Sequence, residues 1–287
     1  MRIIAAILIV LSGTGALAQP VQQAPPPPSK WGWKHSVVSA LTVTQISFKD
    51  WAQGGEDALS WTARLDGKST LDDTSFTLGN SYKMVYGQAK IGQAKSRKTE
   101  DRIEFESVLT YKLGTYVNPY VGATLKTQFS TGVTIDAAGN ETLVSKFFDP
   151  GYLTQSAGVG YQPVKELKTR FGVALREIVT STYWTYANDL KTPPQNRVKI
   201  RVDGGLESVT DAELKLDDNV LFRSKLELFA PIPKPSDATL RMDNALTSTV
   251  NKYMVVIVNV MLINDERAST RLQVKEMLSF GLSYTLF

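Results

Sequence analysis

The chain has 287 residues, 43% of them hydrophobic, with a net charge of +4 and no cysteine. A charge this small and dispersed argues against a nucleic-acid-binding protein, and the lack of cysteine excludes disulfides and thiolate metal sites. The length is compatible with a soluble β-sandwich or with one β-barrel.

Residues 1–18 have the organisation of a secretory signal peptide. Arg2 supplies the positive charge, residues 3–11 are apolar, and Ala16-Leu17-Ala18 is a small-residue cleavage site. We therefore expect export and a mature chain that begins at Gln19. The alternative, an uncleaved helical anchor, needs a longer apolar run.

Residues 19–32 are predicted to form a periplasmic linker, because four consecutive prolines at 25–28 favour an extended spacer without a packing face. We assign residues 33–287 to one β-barrel. No apolar run in this part approaches the roughly 18 residues that a membrane helix needs.

From Trp33 onward, apolar and polar residues alternate in short segments separated by turn-forming residues. Ile103, Phe105 and Leu109, for example, alternate with charged residues. A period of two places one residue set on each face of a β-strand. The recurrence predicts about twelve strands, with ten or fourteen as alternatives. The clearest segments are 76–87, 102–113, 198–207, 220–228, 240–250, 254–262 and 278–286.

The same alternation fits a sandwich with an apolar core and a membrane barrel with an apolar outer face. The predicted signal peptide, the even strand count and the absence of disulfides favour an all-β, antiparallel up-and-down transmembrane β-barrel in the Gram-negative outer membrane. Both termini should then be periplasmic. We expect outer loops near 49–57, 88–100, 133–149, 181–196, 231–237 and 264–270, and inner turns near 67–73, 114–119, 163–168, 217–219 and 251–252.

The apolar phase, including Met254, Val256, Val258, Val260 and Leu262, should face lipid. The charged phase should line the lumen and pair between neighbouring strands, which would leave the lumen narrow. The lumen-lining candidates are Arg102, Glu104, Glu106, Lys112, Arg201, Asp203, Arg223, Lys225, Glu227, Arg241 and Asp243.

The sequence predicts no enzyme, cofactor or metal site. His35 is the only histidine, and its neighbour Ser36 would point to the opposite face of a strand. Glu104 and Glu106 could share a proton or a cation, but nearby Arg102 favours a structural ion pair.

A cluster of cations, Lys90, Lys95, Arg97 and Lys98, lies in a predicted outer loop. Such a loop would face lipopolysaccharide and could bind its phosphates, or it could simply be solvated. The expected partners are outer-membrane lipid, lipopolysaccharide and the barrel-assembly machinery, and no nucleic acid.

Several segments resemble a domain-of-unknown-function family of outer-membrane barrels common in Bacteroidetes-type bacteria. They occur in the order of that family. The segments are Trp51–Gly55, Arg97–Arg102, Thr127–Phe129, Ser224–Phe229, Val250–Tyr253 and Gly281–Tyr284. The resemblance implies an outer-membrane barrel and no known reaction.

The function that follows is passive passage of small solutes or a structural or assembly role in the envelope. Two alternatives remain open: an outer-membrane lipid-modifying enzyme, and a secreted soluble β-sandwich that binds a ligand.

Overall fold

The computed structural model describes residues 32–47, 56–136, 139–188, 192–232, 234–265 and 271–285. The predicted signal peptide and almost all of the linker lie outside the described residues. No helical segment in the described part is long and apolar enough to cross a membrane. The described strands are Trp33–Ile46 (β1), Ala58–Asp72 (β2), Phe76–Ile91 (β3), Arg97–Tyr111 (β4), Val117–Thr127 (β5), Gly132–Ile135 (β6), Glu141–Ser145 (β7), Gly151–Val164 (β8), Leu167–Val179 (β9), Ile200–Asp217 (β10), Val220–Pro231 (β11), Thr239–Thr249 (β12), Met254–Asn264 (β13) and Gln273–Thr285 (β14). Short 3-10 turns span Trp184–Tyr186, Pro194–Asn196 and Pro235–Asp237.

Twelve of these strands form one closed barrel. Each pairs with its neighbours along the chain, and β14 pairs with β1 to close the ring. β6 and β7 form a separate hairpin within the loop between β5 and β8, so β5 pairs directly with β8. The predicted antiparallel up-and-down barrel of twelve strands is confirmed, and the soluble sandwich is wrong.

The outer surface of the barrel is apolar. Val121, Val173 and Leu278 on β5, β9 and β14 are 59%, 61% and 63% exposed. A soluble monomer rarely exposes a continuous apolar surface of this extent. An apolar outer surface is instead typical of transmembrane β-barrels, in which lipid replaces water around this face.

The two ends of the barrel differ in the length of their connections. At the short-turn end, the links are residues 73–75, 112–116, 165–166, 218–219 and 250–253. At the long-loop end, they are residues 47–57, 92–96, 128–150, 180–199, 232–238 and 265–272. β1 begins and β14 ends at the short-turn end, as expected for an even number of strands.

One predicted turn, near residues 67–73, is wrong, because β2 continues to Asp72. Gly67 lies within the strand directly opposite Tyr82. A Cβ atom on Gly67 would lie only 2.0 Å from Tyr82 Cε2, so the tyrosine ring occupies the space above the glycine. The glycine thus serves close packing within a strand and not a turn. The predicted loop at 88–100 is likewise shorter, since β3 reaches Ile91 and β4 starts at Arg97.

Aromatic side chains cluster near both ends of the outer surface, as in the girdles that position barrels at the two membrane interfaces. At the short-turn end they are Trp33, Phe76, Tyr111, Tyr116, Tyr161 and Tyr253. At the long-loop end they include Phe129, Phe147 and Phe148, which are 39%, 64% and 36% exposed.

Among the described residues, the seam between β1 and β14 is the shortest pairing in the ring. It joins four residue pairs, from Val38 with Thr285 to Leu41 with Leu282. The other neighbouring barrel strands pair over eight to fifteen residues. Above Leu41, the described residues of the two strands pair only with β2 and β13, respectively.

Candidate functional site

Charged side chains meet across the barrel interior. Arg241 on β12 donates a hydrogen bond to Glu104 on β4, and these strands lie on opposite sides of the ring. Beside this pair, Asp243 on β12 accepts hydrogen bonds from Arg102 at 3.1 Å and from Lys83 at 3.0 Å. Since strands this far apart have no shared edge, the contacts pass through the lumen.

A second group of ion pairs lies next to the first. Glu106 accepts hydrogen bonds from Arg170 on β9 and from Lys225 on β11. Lys126 on β5 donates to Glu227 on β11. Together we call these ten residues the lumen ion-pair network: Lys83, Arg102, Glu104, Glu106, Lys126, Arg170, Lys225, Glu227, Arg241 and Asp243.

The network is largely sheltered from solvent, since the side chains of Glu106 and Asp243 are 14% and 11% exposed. An Arg guanidinium has several donors in a fixed plane, so one group can bridge several carboxylates. Three arginines nevertheless keep a buried nitrogen without an acceptor among the described residues: Arg64 Nη1, Arg102 Nε and Arg170 Nε. Arg102 and Arg170 of the network, and Arg64 outside it, therefore each retain an N–H group that can donate a further hydrogen bond.

The partners differ from those that the sequence suggested. Arg223 forms a pair between neighbouring strands, but with a residue outside the candidate set: its Nε lies 3.0 Å from Glu213 on β10, near the short-turn end. Arg201 and Asp203 pair with each other along one strand, at 2.9 Å. Residues at the same height of a closed, tilted barrel meet whether or not their strands are neighbours, which explains the difference.

Lys112 does not line the lumen. It lies in the turn after β4, where its Nζ is 2.7 Å from Asp72 Oδ1. The alternation of β4 ends at Tyr111, so extending the charged phase by one more residue placed Lys112 wrongly.

Sequence reasoning missed Lys83, Lys126 and Arg170. Each lies in an alternating segment on the charged phase of its strand, so the same period-two argument would have found it. It also missed Lys68 and Glu213, whose 2.8 Å contact joins β2 to β10 across the ring.

Apolar side chains fill part of the lumen toward the long-loop end. Phe229 and Ile178 are 0% and 2% exposed. The Arg176 guanidinium lies 3.9 Å from the centre of the Phe229 ring, a cation–π contact. These residues narrow the interior where the ion pairs do not.

Two carboxylates fix the long loops: Asp149 joins two of the loops to each other, and Asp101 joins a loop to the barrel. Asp149 accepts hydrogen bonds from Thr180 Oγ1 at 2.5 Å, from Ser181 Oγ at 2.8 Å and from the Thr182 amide at 2.8 Å. Burial alone would raise the pKa of the Asp149 carboxyl group. The hydrogen bonds lower it by more, so the pKa lies below its ordinary value. Near the start of β4, Asp101 accepts a hydrogen bond from the Ser130 amide at 2.9 Å.

The predicted outer-loop cluster divides in two. Lys90, Lys95 and Arg97 are exposed around the loop between β3 and β4. Lys98 instead binds Asp101 at 2.9 Å and the Ser130 carbonyl at 3.0 Å. Three cations therefore face solvent together at the long-loop end. Within the described ranges, no group of histidine, cysteine, aspartate and glutamate is arranged to hold a metal ion.

Comparison with known proteins gives a family match over part of the chain. Residues 43–132 match the family model described as Protein of unknown function (DUF3078). This bears out the resemblance to a domain-of-unknown-function family. No curated protein matches the sequence.

Solved structures with similar folds are outer-membrane barrels. An outer membrane channel from Pseudomonas putida F1 is 12% identical, with 90% of this chain and 98% of that chain covered and a TM-score of 0.39. The translocator domain of the autotransporter NalP from Neisseria meningitidis is 9% identical, with 87% and 86% covered and a TM-score of 0.37. The Pseudomonas putida toluene transporter TodX is 9% identical, with 88% of each chain covered and a TM-score of 0.30.

Proposed function

We propose that the protein is an outer-membrane barrel that allows passive passage of only water and small solutes, through a lumen narrowed by ion pairs. The observation that carries this proposal is the contact between Glu104 and Arg241 from opposite walls. Side chains that meet across the diameter divide the interior, so no wide path runs along the axis at that height.

The strand number supports the same conclusion. Barrels of about eight strands are filled by side chains, whereas those of 16–18 strands leave an aqueous channel. A ring of twelve is intermediate, so its side chains decide its permeability. Here Lys126 and Glu227 add a further bridge, and Phe229 adds bulk. The unpartnered nitrogens of Arg64, Arg102 and Arg170 favour contact with water or small anions.

The outer-membrane location belongs to this proposal. The apolar outer face and the aromatic girdles support insertion in a bilayer, and the sequence of residues 1–18 supports export. By the usual orientation of bacterial barrels, the short-turn end is periplasmic and the long loops face the exterior.

Conductance in planar bilayers tests the proposed passage. The unmodified protein should show small conductance steps, and Glu104→Ala with Arg241→Ala should enlarge them because the bridge across the lumen is gone. The matched control, Lys215→Ala with Asp218→Ala, removes an exposed ion pair at the short-turn end, with side chains 65% and 91% exposed. It should leave conductance unchanged. A large, steady, salt-proportional conductance in the unmodified protein would contradict the proposal and indicate a general diffusion porin.

A structural role in the envelope is the second candidate, and the same bridges favour it if they close the lumen completely. In that case neither the unmodified barrel nor the Glu104 and Arg241 double variant should conduct. Loss of envelope integrity on deletion, measured as leakage of periplasmic protein, would then support the structural role.

We further propose that Lys90, Lys95 and Arg97 bind lipopolysaccharide phosphates. The three cations are exposed around one loop at the end that would face the exterior, and such side chains form charge-assisted hydrogen bonds with phosphate.

A further inference from the structure

A histidine and a serine meet on the outer face of the barrel. His35 Nδ1 lies 2.9 Å from Ser69 Oγ. Their residues are direct partners between β1 and β2, and Ser69 is in turn the partner of Asn80 on β3. Directly opposite residues of antiparallel strands share a face. The row His35, Ser69 and Asn80 therefore lies on one side of the barrel wall.

That side is the outer one. Lys68 and Lys83, on the other phase of β2 and β3, reach across the interior to Glu213 and Asp243. The phase of Ser69 and Asn80 points the opposite way. The same alternation places His35 and Ser36 on opposite faces, as expected. His35 instead faces the same side as Ser69 of the next strand.

The pair lines a cavity of about 390 Å³ that is shared by polar and apolar groups. Its lining residues are Trp33, His35, Ser69, Asn80, Tyr82 and Phe105. The Trp33 ring stacks on the imidazole with centres 6.0 Å apart and planes 10° from parallel, so it restrains the orientation of His35.

The height of the cavity matches the ester region of a bilayer leaflet. Ser69 lies three residues before the end of β2, on the order of 10 Å along the strand from the short-turn end. Trp33, in the aromatic girdle, borders the cavity. A polar row at this level meets lipid carbonyls, whereas the same row at mid-bilayer would meet only hydrocarbon.

A larger apolar groove follows on the same strands toward the bilayer centre. It measures about 850 Å³, and its walls include Leu41, Leu65, Met84, Tyr86 and Leu282. Leu65 is four residues along β2 from Ser69, on the order of 14 Å. An acyl chain whose ester lies at Ser69 points in this direction.

We propose that His35 and Ser69 form a hydrolase site for an acyl ester of bilayer phospholipid. Ser69 Oγ attacks the ester carbonyl carbon as its proton passes to His35 Nδ1. The oxyanion can accept a hydrogen bond from the Asn80 side-chain amide. The carbon–oxygen bond to the glycerol then breaks, and that oxygen takes the proton from His35. Water, deprotonated by His35, attacks the acyl-serine, which releases the fatty acid and restores Ser69 with its proton.

Turnover should be slow. Among the described residues, His35 is stacked by Trp33 and bonded to Ser69, and no carboxylate hydrogen-bonds to its ring. Where such an acid orients the histidine of a serine hydrolase, replacing it by its amide lowers kcat by roughly 10⁴-fold.

The test is fatty-acid release from phosphatidylethanolamine vesicles that contain the refolded full-length protein. Ser69→Ala and His35→Ala should each reduce the rate by about 100-fold or more. A fluorophosphonate should label Ser69, as located by mass spectrometry, and labelling should fall in His35→Ala. Heat-modifiable migration on gels checks that each variant is folded.

Two serine controls separate this site from general effects of substitution. Ser36→Ala changes the neighbour of His35 on the other face, and Ser107→Ala changes the residue opposite Asn80 on β4, outside the cavity lining. Both should retain activity. Hydrolysis that is absent from the folded protein, or that survives in Ser69→Ala, overturns the proposal. Because the site lies outside the lumen, the Glu104 and Arg241 variants should retain hydrolysis, so this proposal and the proposed passage fail independently.

Discussion

Glu104 on β4 and Arg241 on β12 form an ion pair although six strand positions separate them in either direction around the ring. Their side chains are 20% and 22% exposed. The pair therefore connects opposite walls of the barrel, like a strut. The stability of the folded barrel should depend on both of its charges.

Removing one partner of this strut should destabilise the barrel more than removing both. Glu104→Gln leaves the Arg241 charge in a sheltered lumen without its main acceptor, at a cost on the order of 1–3 kcal/mol. The double variant Glu104→Gln with Arg241→Gln should recover part of that loss. Urea unfolding in phospholipid bilayers measures both changes. Additive losses in the double variant would mean that the two side chains are not coupled.

A charge on the lipid face should impair insertion. Leu246 on β12 is 36% exposed, and it is the partner of Val258 in the lipid-facing set. Leu246→Arg should cost about 2–4 kcal/mol if the position lies at mid-membrane. Arg223→Gln, on the opposite face of the neighbouring strand, should insert normally. Equal folding yields for the two variants would show that the faces are assigned wrongly.

Gly67 should resist enlargement. Gly67→Ala places a methyl group where the Tyr82 ring lies, so the ring must rotate away and the folded state should lose on the order of 1 kcal/mol. Gly204→Ala is the matched control, because its Cβ would meet Leu175 Cδ2 at an ordinary 3.8 Å. The midpoint of urea unfolding should fall for Gly67→Ala and not for Gly204→Ala. Equal midpoints for the two variants would contradict the close packing of Tyr82 on Gly67.

The contact between the long loops should weaken at low pH. Hydrogen bonds outweigh burial and lower the pKa of Asp149 in the folded state, so its contribution to stability is complete above the unfolded pKa of about 3.9 and is lost as the pH falls through the folded pKa. Hydrogen exchange of the Thr182 amide should therefore accelerate, beyond its intrinsic pH dependence, only as the pH falls below about 3.9. Asp149→Asn should show faster exchange already at neutral pH. Exchange that is insensitive to this substitution would exclude the contact.

The exposed outer-loop cations should contribute to lipopolysaccharide binding. Replacing Lys90, Lys95 and Arg97 together by Gln should weaken binding, and salt should reduce the difference because it screens exposed charges. The control Lys215→Gln changes one exposed cation at the opposite end. Binding of purified lipopolysaccharide to the detergent-solubilised barrel measures the effect, and an unchanged affinity would indicate that the loop is merely solvated.

The number of strands, and which side chains face lipid or lumen, could be predicted because the alternation of apolar and polar residues is a local property of the sequence. If residues 254–262 form a strand at all, their alternation gives it one apolar and one polar face. The structure places β13 there. The turn at 67–73 could not be excluded in this way. Whether Gly67 turns the chain or fits beneath Tyr82 depends on the register between β2 and β3.

Partner choice in the lumen could not be predicted for a similar reason. Glu106 meets Arg170 and Lys225 from two different strands only after the ring has closed with a particular tilt. His35 and Ser69 are 34 residues apart, and only the register of β1 with β2 makes them partners. The residue types were visible in the sequence, whereas their meeting was a property of the closed sheet.

The seam has a consequence for the order of assembly and for the surrounding membrane. β1 and β14 come from opposite ends of the barrel sequence, so their four pairs form only after the intervening strands are in place. Backbone groups that lack a ladder partner are costly in hydrocarbon. Above Leu41, water or lipid headgroups must reach the facing edges, so we expect the bilayer to be locally thinned beside this sector, where the two edges can also part most easily.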